Sequence, residues 1–117
     1  RAGSSILYLL PADEVSELHR LQSDEVWHFY HGNPLCLHLF YENGEFEQVR
    51  LEEAEKRQFA VAGGTVFGAT VEEGYALVGC TVFPEFRVED FERPASEQLR
   101  EKFPEQARRI EQLTSER

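Results

Sequence analysis

Residues 19–32, HRLQSDEVWHFYHG, gather three of the chain's four histidines, a Ser-Asp-Glu turn, its single tryptophan and two further aromatics. Imidazoles and carboxylates can ligate a metal or move a proton near neutral pH. Polar groups of this kind, set so densely among apolar ones, point to the lining of a pocket. His19 and Glu25 are the candidate polar anchors. With Glu25 facing inward, strand alternation turns Trp27 and Phe29 inward and His28 outward. Trp27 between Glu25 and Phe29 then offers a wall on which a sugar or base ring can stack. Arg20 is expected to pair with Asp24 or Glu25; turned inward, it would hold an anionic ligand bidentately.

The elements that must position these groups are short strands. Residues 4–10, 14–21, 25–31, 35–41, 46–51, 58–62, 65–71 and 75–83 read as strands bounded by Gly, Pro, Asn and Asp turns. The clearest alternation sets Leu35, Leu37, Leu39 and Tyr41 on one face and Cys36, His38 and Phe40 on the other. Asn43-Gly44 predicts a tight hairpin. Phe86, Val88 and Phe91 read as an edge segment packing on the strands. After Pro94, residues 95–103 and 105–113 read as amphipathic helices, with Ser96 as a cap and Leu99, Phe103, Ile110 and Leu113 facing the strands. The expected fold is all-β, a sandwich or barrel completed by C-terminal helices. One domain is expected over 1–117, with strands in 1–93 and helices in 94–117.

Composition bounds the partners. The 117 residues carry 22 acidic against 12 basic side chains, a net charge of −10. Nucleic acid is disfavoured because phosphate neutralisation needs a basic face, and an anionic membrane surface for the same reason. Cys36 and Cys80 lie in apolar, alternating stretches and read as buried free thiols. No apolar run approaches the roughly 20 residues that span a bilayer. No signal peptide is visible, a cytoplasmic location is expected, and a start at Arg1 rather than Met implies a missing N-terminal piece.

These residues resemble the cupin superfamily, whose first motif is H-x-H-x3/4-E-x6-G. His19, Glu25 and Gly32 stand at that spacing, with Leu21 in place of the second histidine. In the second motif, P-x-G-x2-H-x3-N, Ala62-Gly63-Gly64 fills the first places, and Phe67 and Val71 replace the histidine and asparagine. Residues 16–38 are similar to the type-5 cupins, a family whose function is not established and whose sequences run S-x-L-H-R-x-x-S-D-E-x-W-H-F-Y-x-G-x-P-L-x-L-H. GGTVFGA at 63–69, GYALVGCTVFPEFRVEDFE at 74–92 and the ending at 103–114 resemble the same family. A His-Pro-Glu-Gly-Gly stretch that members usually carry ahead of the first strand is absent.

The resemblance implies a jelly-roll (double-stranded β-helix) barrel, RmlC-like, and three uses of it. Cupin metal sites take three histidines and a glutamate, so His19 and Glu25 would be remnant ligands of a divalent metal, completed by His28, His31 or His38; a metal-free pocket is the first expectation. Cupin epimerases use a histidine base and a tyrosine acid, which makes His19 the candidate base, Glu25 or Asp24 its orienting carboxylate and Tyr8 a candidate acid. As a binding module, the barrel lined by Trp27, Phe29, Leu37 and Phe67 would hold a small, sugar-like metabolite. The leading expectation is metabolite binding with weak epimerase or isomerase chemistry; the alternative is a metal-dependent dioxygenase or isomerase. Cupins pair barrels, and Val78, Cys80 and Val82, expected on a second apolar face, point to a homodimer.

Overall fold

A computed structural model of the protein describes residues 2–114. Its strands are β1 (Ser4–Pro11), β2 (Val15–His19), β3 (Asp24–Gly32), β4 (Leu35–Phe40), β5 (Phe46–Leu51), β6 (Gln58–Val61), β7 (Val66–Val71) and β8 (Tyr75–Phe83). Two short helices follow, α1 (Ser96–Lys102) and α2 (Ala107–Gln112). The strands form two four-stranded antiparallel sheets, β1-β8-β3-β6 and β2-β7-β4-β5. Apart from the β4–β5 hairpin, every connection between consecutive strands crosses from one sheet to the other. That winding closes the two sheets face to face as a jelly roll.

Alternation decides what goes inside. Leu35, Leu37 and Leu39 are fully buried in the barrel with Phe67, Ala69 and Val71, while Phe40 and Val66 face the other way. The hairpin between β4 and β5 turns at Gly44, whose φ of 92° lies in the left-handed region that glycine enters without a Cβ clash. Asn43 stiffens this turn by accepting the amide of Glu45 at 3.0 Å.

The second core lies outside the barrel. Leu18, Phe40 and Val66 on the outer face of the β2-β7-β4-β5 sheet pack against Leu99, Phe103, Ile110 and Leu113 of the C-terminal segment. The amide of Leu18 donates to the carbonyl of Leu113 at 2.8 Å, which fixes the helices to β2.

Three expectations change. Val78, Cys80 and Val82 are 0%, 4% and 7% exposed and face the interior, so they need no partner to cover them. A period of two assigns residues to alternate faces without saying which face is inside. The exposed outer face of the same β1-β8-β3-β6 sheet instead carries Leu7, Leu9 and Tyr30. Ser96 does not cap α1: Ala95 holds the N-cap position, and the Ser96 hydroxyl, one residue inside the helix, accepts Nη1 of Arg100 at 3.2 Å. Arg20 pairs with neither Asp24 nor Glu25; it takes Glu92 bidentately, Nε to Oε1 at 3.1 Å and Nη2 to Oε2 at 2.6 Å. Asp24 is engaged by the backbone amide of Gly63 at 2.8 Å.

Candidate functional site

His19 reaches the interior through an irregularity in β2. Ser16 is opposite Ala69 and His19 opposite Phe67, so three residues of β2 span two of β7. Such a bulge re-aims side chains. Strict alternation from Ser16 would send Leu18 inward and His19 outward. The extra residue reverses this, giving Leu18 to the helical layer and turning the His19 ring onto Phe67 at a centroid distance of 4.4 Å. Gly68 makes the bulge possible, since a Cβ there would meet the Ser16 carbonyl oxygen at 2.6 Å.

Around His19 the contacts define one protonation state. Its Nδ1 lies 2.8 Å from the carbonyl oxygen of Glu17, which only accepts, so Nδ1 carries a hydrogen and, in the neutral ring that burial favours, Nε2 keeps a lone pair. Burial lowers the imidazole pKa below the ordinary 6.5, the Glu17 bond partly opposes this, and the Arg93 guanidinium lowers it further. Phe91 stacks on the ring's other side, 5.5 Å away and 11° from parallel.

Glu25 projects inward from β3, in register with Val61 of β6 and Val82 of β8, and is 7% exposed. Burial pushes its carboxyl up to about 7, and the neighbouring Trp27 indole and Cys80 thiol, which favour the anion, offset this only in part. Neither Glu25 Oε1 nor Trp27 Nε1 completes a hydrogen bond among the described residues. Burial and the Glu25 carboxylate raise the Cys80 thiol far above its ordinary value, so it stays protonated. Trp27 stands edge-on to Phe67 at 5.9 Å and to Tyr8 at 6.1 Å. Burial raises the Tyr8 phenol above 10, partly offset by the Ser16 hydroxyl.

The structure thus brings His19, Phe67, Trp27 and Tyr8 into one chain of ring contacts, with Glu25 two residues from Trp27 on the same inward face. No hydrogen bond joins His19 to Glu25. Phe29 and Leu37 lie in the packed barrel core, at 2% and 0% exposure, opposite Val78 and Ala69 respectively. Arg20 stays outside the barrel. The residues do not suit a metal: among the described residues no three His, Cys, Asp or Glu side chains gather to hold one. His28 stacks on Tyr30, His31 packs on Tyr75 near the opposite end of β3 from Glu25, and His38 lies outside the barrel against Arg109.

Sequence reasoning missed the strap that closes this end. Beyond β8, the chain pairs back just past the end of β2 through reciprocal backbone bonds between Arg20 and Glu92, at 2.8 and 3.0 Å. The Arg20–Glu92 and Arg93–Glu17 ion pairs flank that bridge, and Phe91 is set over His19 between them. The apolar spacing of Phe86, Val88 and Phe91 signalled packing on the barrel, but its target could not be read from spacing. Phe91 alone of the three stacks on the site, and Val88 is 76% exposed.

Comparison with known proteins agrees with this geometry. The family model described as cupin superfamily (DUF985) matches residues 1–93. A crystal structure of a protein from Shewanella oneidensis is 34% identical, with a TM-score of 0.91, covering 100% of this chain and 77% of that one. A hypothetical protein from Leishmania major is 32% identical, with a TM-score of 0.89, covering 98% and 77%. A dTDP sugar isomerase from Desulfovibrio desulfuricans shares the fold at 15% identity, with a TM-score of 0.71 over 81% of this chain and 66% of that one. No curated protein matches the sequence. With the family model spanning the whole barrel and two solved relatives above 30% identity, the chain belongs to the cupin superfamily, in the family DUF985.

Proposed function

We propose that this cupin binds a small, polar, sugar-like metabolite at the His19–Glu25 end of its barrel, and that these two residues carry out epimerase- or isomerase-type proton transfer on it. The observation that carries this reading is the pair of buried polar atoms without partners, Glu25 Oε1 and Trp27 Nε1. Leaving such groups unsatisfied costs roughly 1–3 kcal/mol each, and a bound hydroxyl would satisfy both by accepting from the indole and donating to the carboxylate. Admission of the ligand requires the strap carrying Phe91 to move off His19.

The protonation states suit the chemistry. His19, neutral with Nε2 open, can take a proton from a carbon next to a carbonyl. Glu25, near 7, is half protonated at neutral pH and can donate to the carbonyl oxygen. The bond to hydrogen breaks at carbon as His19 takes the proton and Glu25 protonates the carbonyl oxygen to give an enediol; return of the carbon proton to either face or to the neighbouring carbon, with a hydroxyl proton passing back to Glu25, completes an epimerisation or isomerisation. Tyr8, edge-on to Trp27 and with its phenol raised by burial, is the candidate second donor. The fold shared with dTDP-sugar isomerases and epimerases supports the ligand class.

The test is calorimetric titration of the full chain with dTDP-4-keto-hexoses and free hexoses, followed by incubation in heavy water. Saturable binding, with deuterium entering the sugar beside its carbonyl and lost in His19→Ala, is expected. Absence of binding across that set would overturn the reading.

Two further proposals concern context. The protein forms a homodimer through the exposed outer face bearing Leu7, Leu9 and Tyr30, a reading supported by its apolar character. It resides in the cytoplasm, supported by free thiols at Cys36 and Cys80. No helix among the described residues is long and apolar enough to cross a membrane.

A further inference from the structure

Outside the barrel, a groove of about 430 Å³ runs between the outer face of the β4-β5-β7 strands and α2. Arg109 of α2 is held there by three contacts. Its Nε donates to Gln106 Oε1 at 2.9 Å, its Nη1 to His38 Nδ1 at 3.0 Å, and its guanidinium lies 4.9 Å over the Phe46 ring. Among the described residues no carboxylate comes within ion-pair distance of it, and its Nη2 makes no hydrogen bond. The guanidinium is therefore fixed in place while one edge remains free to bind.

A relay of hydrogens starts from it. A guanidinium only donates, so Nδ1 of His38 must accept and Nε2 must carry the hydrogen. Nε2 lies 2.8 Å from Thr70 Oγ1, which accepts it. The hydrogen of the Thr70 hydroxyl then has no acceptor among the described residues and is available to the groove. Burial, reinforced by Arg109, pushes His38 down to about 4, which keeps this neutral arrangement at physiological pH.

The charges along the groove are ordered. Register sets Arg50 and Thr70 on either side of Cys36, and Arg109 beside His38, two positions further along β4. Glu72 and Glu73 line the opposite end, beyond the last residue of β7. We propose that this groove is a binding site, separate from the barrel interior, for a small monocarboxylate whose remainder is neutral or cationic. The carboxylate meets Nη2 of Arg109 and the hydroxyl of Thr70, while Arg50 at the groove's edge is already paired with Glu52, Nε to Oε2 at 3.1 Å. The two glutamates repel a second negative charge, so phosphate and dicarboxylates are disfavoured.

The experiment is titration of the full chain with 4-aminobutyrate, succinate and inorganic phosphate, followed by backbone and Arg Nε–H resonances in two-dimensional NMR. Saturable shifts at Thr70, His38 and Arg109 are expected with 4-aminobutyrate, and weaker ones with succinate and phosphate. Arg109→Gln and, separately, Thr70→Val should each weaken 4-aminobutyrate by about tenfold or more, the range for hydrogen bonds to charged groups. The double variant Glu72→Gln/Glu73→Gln should let succinate bind better. Absence of saturable shifts in the groove, phosphate binding as tightly as 4-aminobutyrate, or binding undiminished in the Thr70→Val protein would each overturn the proposal. Shifts confined to His19 and Glu25 would overturn it too, while leaving the barrel reading intact.

Discussion

Glu25 joins the proposed chemistry to stability in a single side chain. Its folded carboxyl titrates near 7 against an ordinary 4.5, so the folded state holds a proton that the unfolded state releases. The burial contribution is complete below pH 4.5 and erodes as pH rises through 7, by roughly 3 kcal/mol at most. His38 runs the other way: with its folded pKa near 4 against 6.5, stability present above 6.5 erodes as pH falls toward 4. His19, also lowered, adds to that acid side. Thermal unfolding from pH 4 to 8 should therefore show a broad maximum in the mildly acidic range. Glu25→Gln should remove the alkaline decline and leave the acid one; an unchanged profile would contradict the raised carboxyl. Glu25→Leu, which removes an unsatisfied buried polar atom, should raise the melting temperature while eliminating any sugar binding.

At the scale of elements, the bulge in β2 and the strap beyond β8 decide what the site can do. Gly68→Ala places a methyl carbon 2.6 Å from the Ser16 carbonyl oxygen, which backbone must move to relieve. A loss of about 1–3 kcal/mol in urea unfolding is expected, with weakened ligand binding because His19 loses its aim. Leu18→Ala on the other side of the bulge should cost about 2–5 kcal/mol by emptying the layer beneath the helices. Arg20→Gln should leave the melting temperature nearly unchanged, since its pair with Glu92 is exposed, yet accelerate amide exchange across residues 84–93. Strands were legible because their turns carry Gly, Pro and Asn and because β4 alternates without a break. The spacing shared with cupins predicts that His19 and Glu25 converge inside the barrel; the structure turns both inward, without a hydrogen bond between them. The bulge itself was invisible, since it depends on how β2 meets β7 and on Gly68 in a different strand. The partners of Arg20 and Phe91 were hidden for the same reason: each lies about 70 residues away in sequence.

For the whole molecule, the fold separates three apolar layers with different fates. The barrel core is closed, the helical layer is covered by Leu99, Phe103, Ile110 and Leu113, and the face bearing Leu7, Leu9 and Tyr30 remains open to solvent. The amphipathic pattern after Pro94 was enough to expect helices over the strands, but which sheet they cover is a property of the closed barrel. If the open face pairs two chains, light scattering gives twice the mass of one chain, and Leu9→Glu returns a monomer with unchanged secondary structure. A single-chain mass for the unaltered protein at all concentrations would dismiss the pairing.

Trp27 is the chain's only indole, and it lies beside the group on which most of these arguments turn. Its emission should be blue-shifted by burial and should change in intensity as the adjacent Glu25 acid loses its proton near neutral pH. The same signal should respond when a sugar enters or when Phe91 lifts. The protein thus carries an intrinsic optical probe of occupancy, gating and protonation, and can be interrogated without a label, a tag or a second substitution.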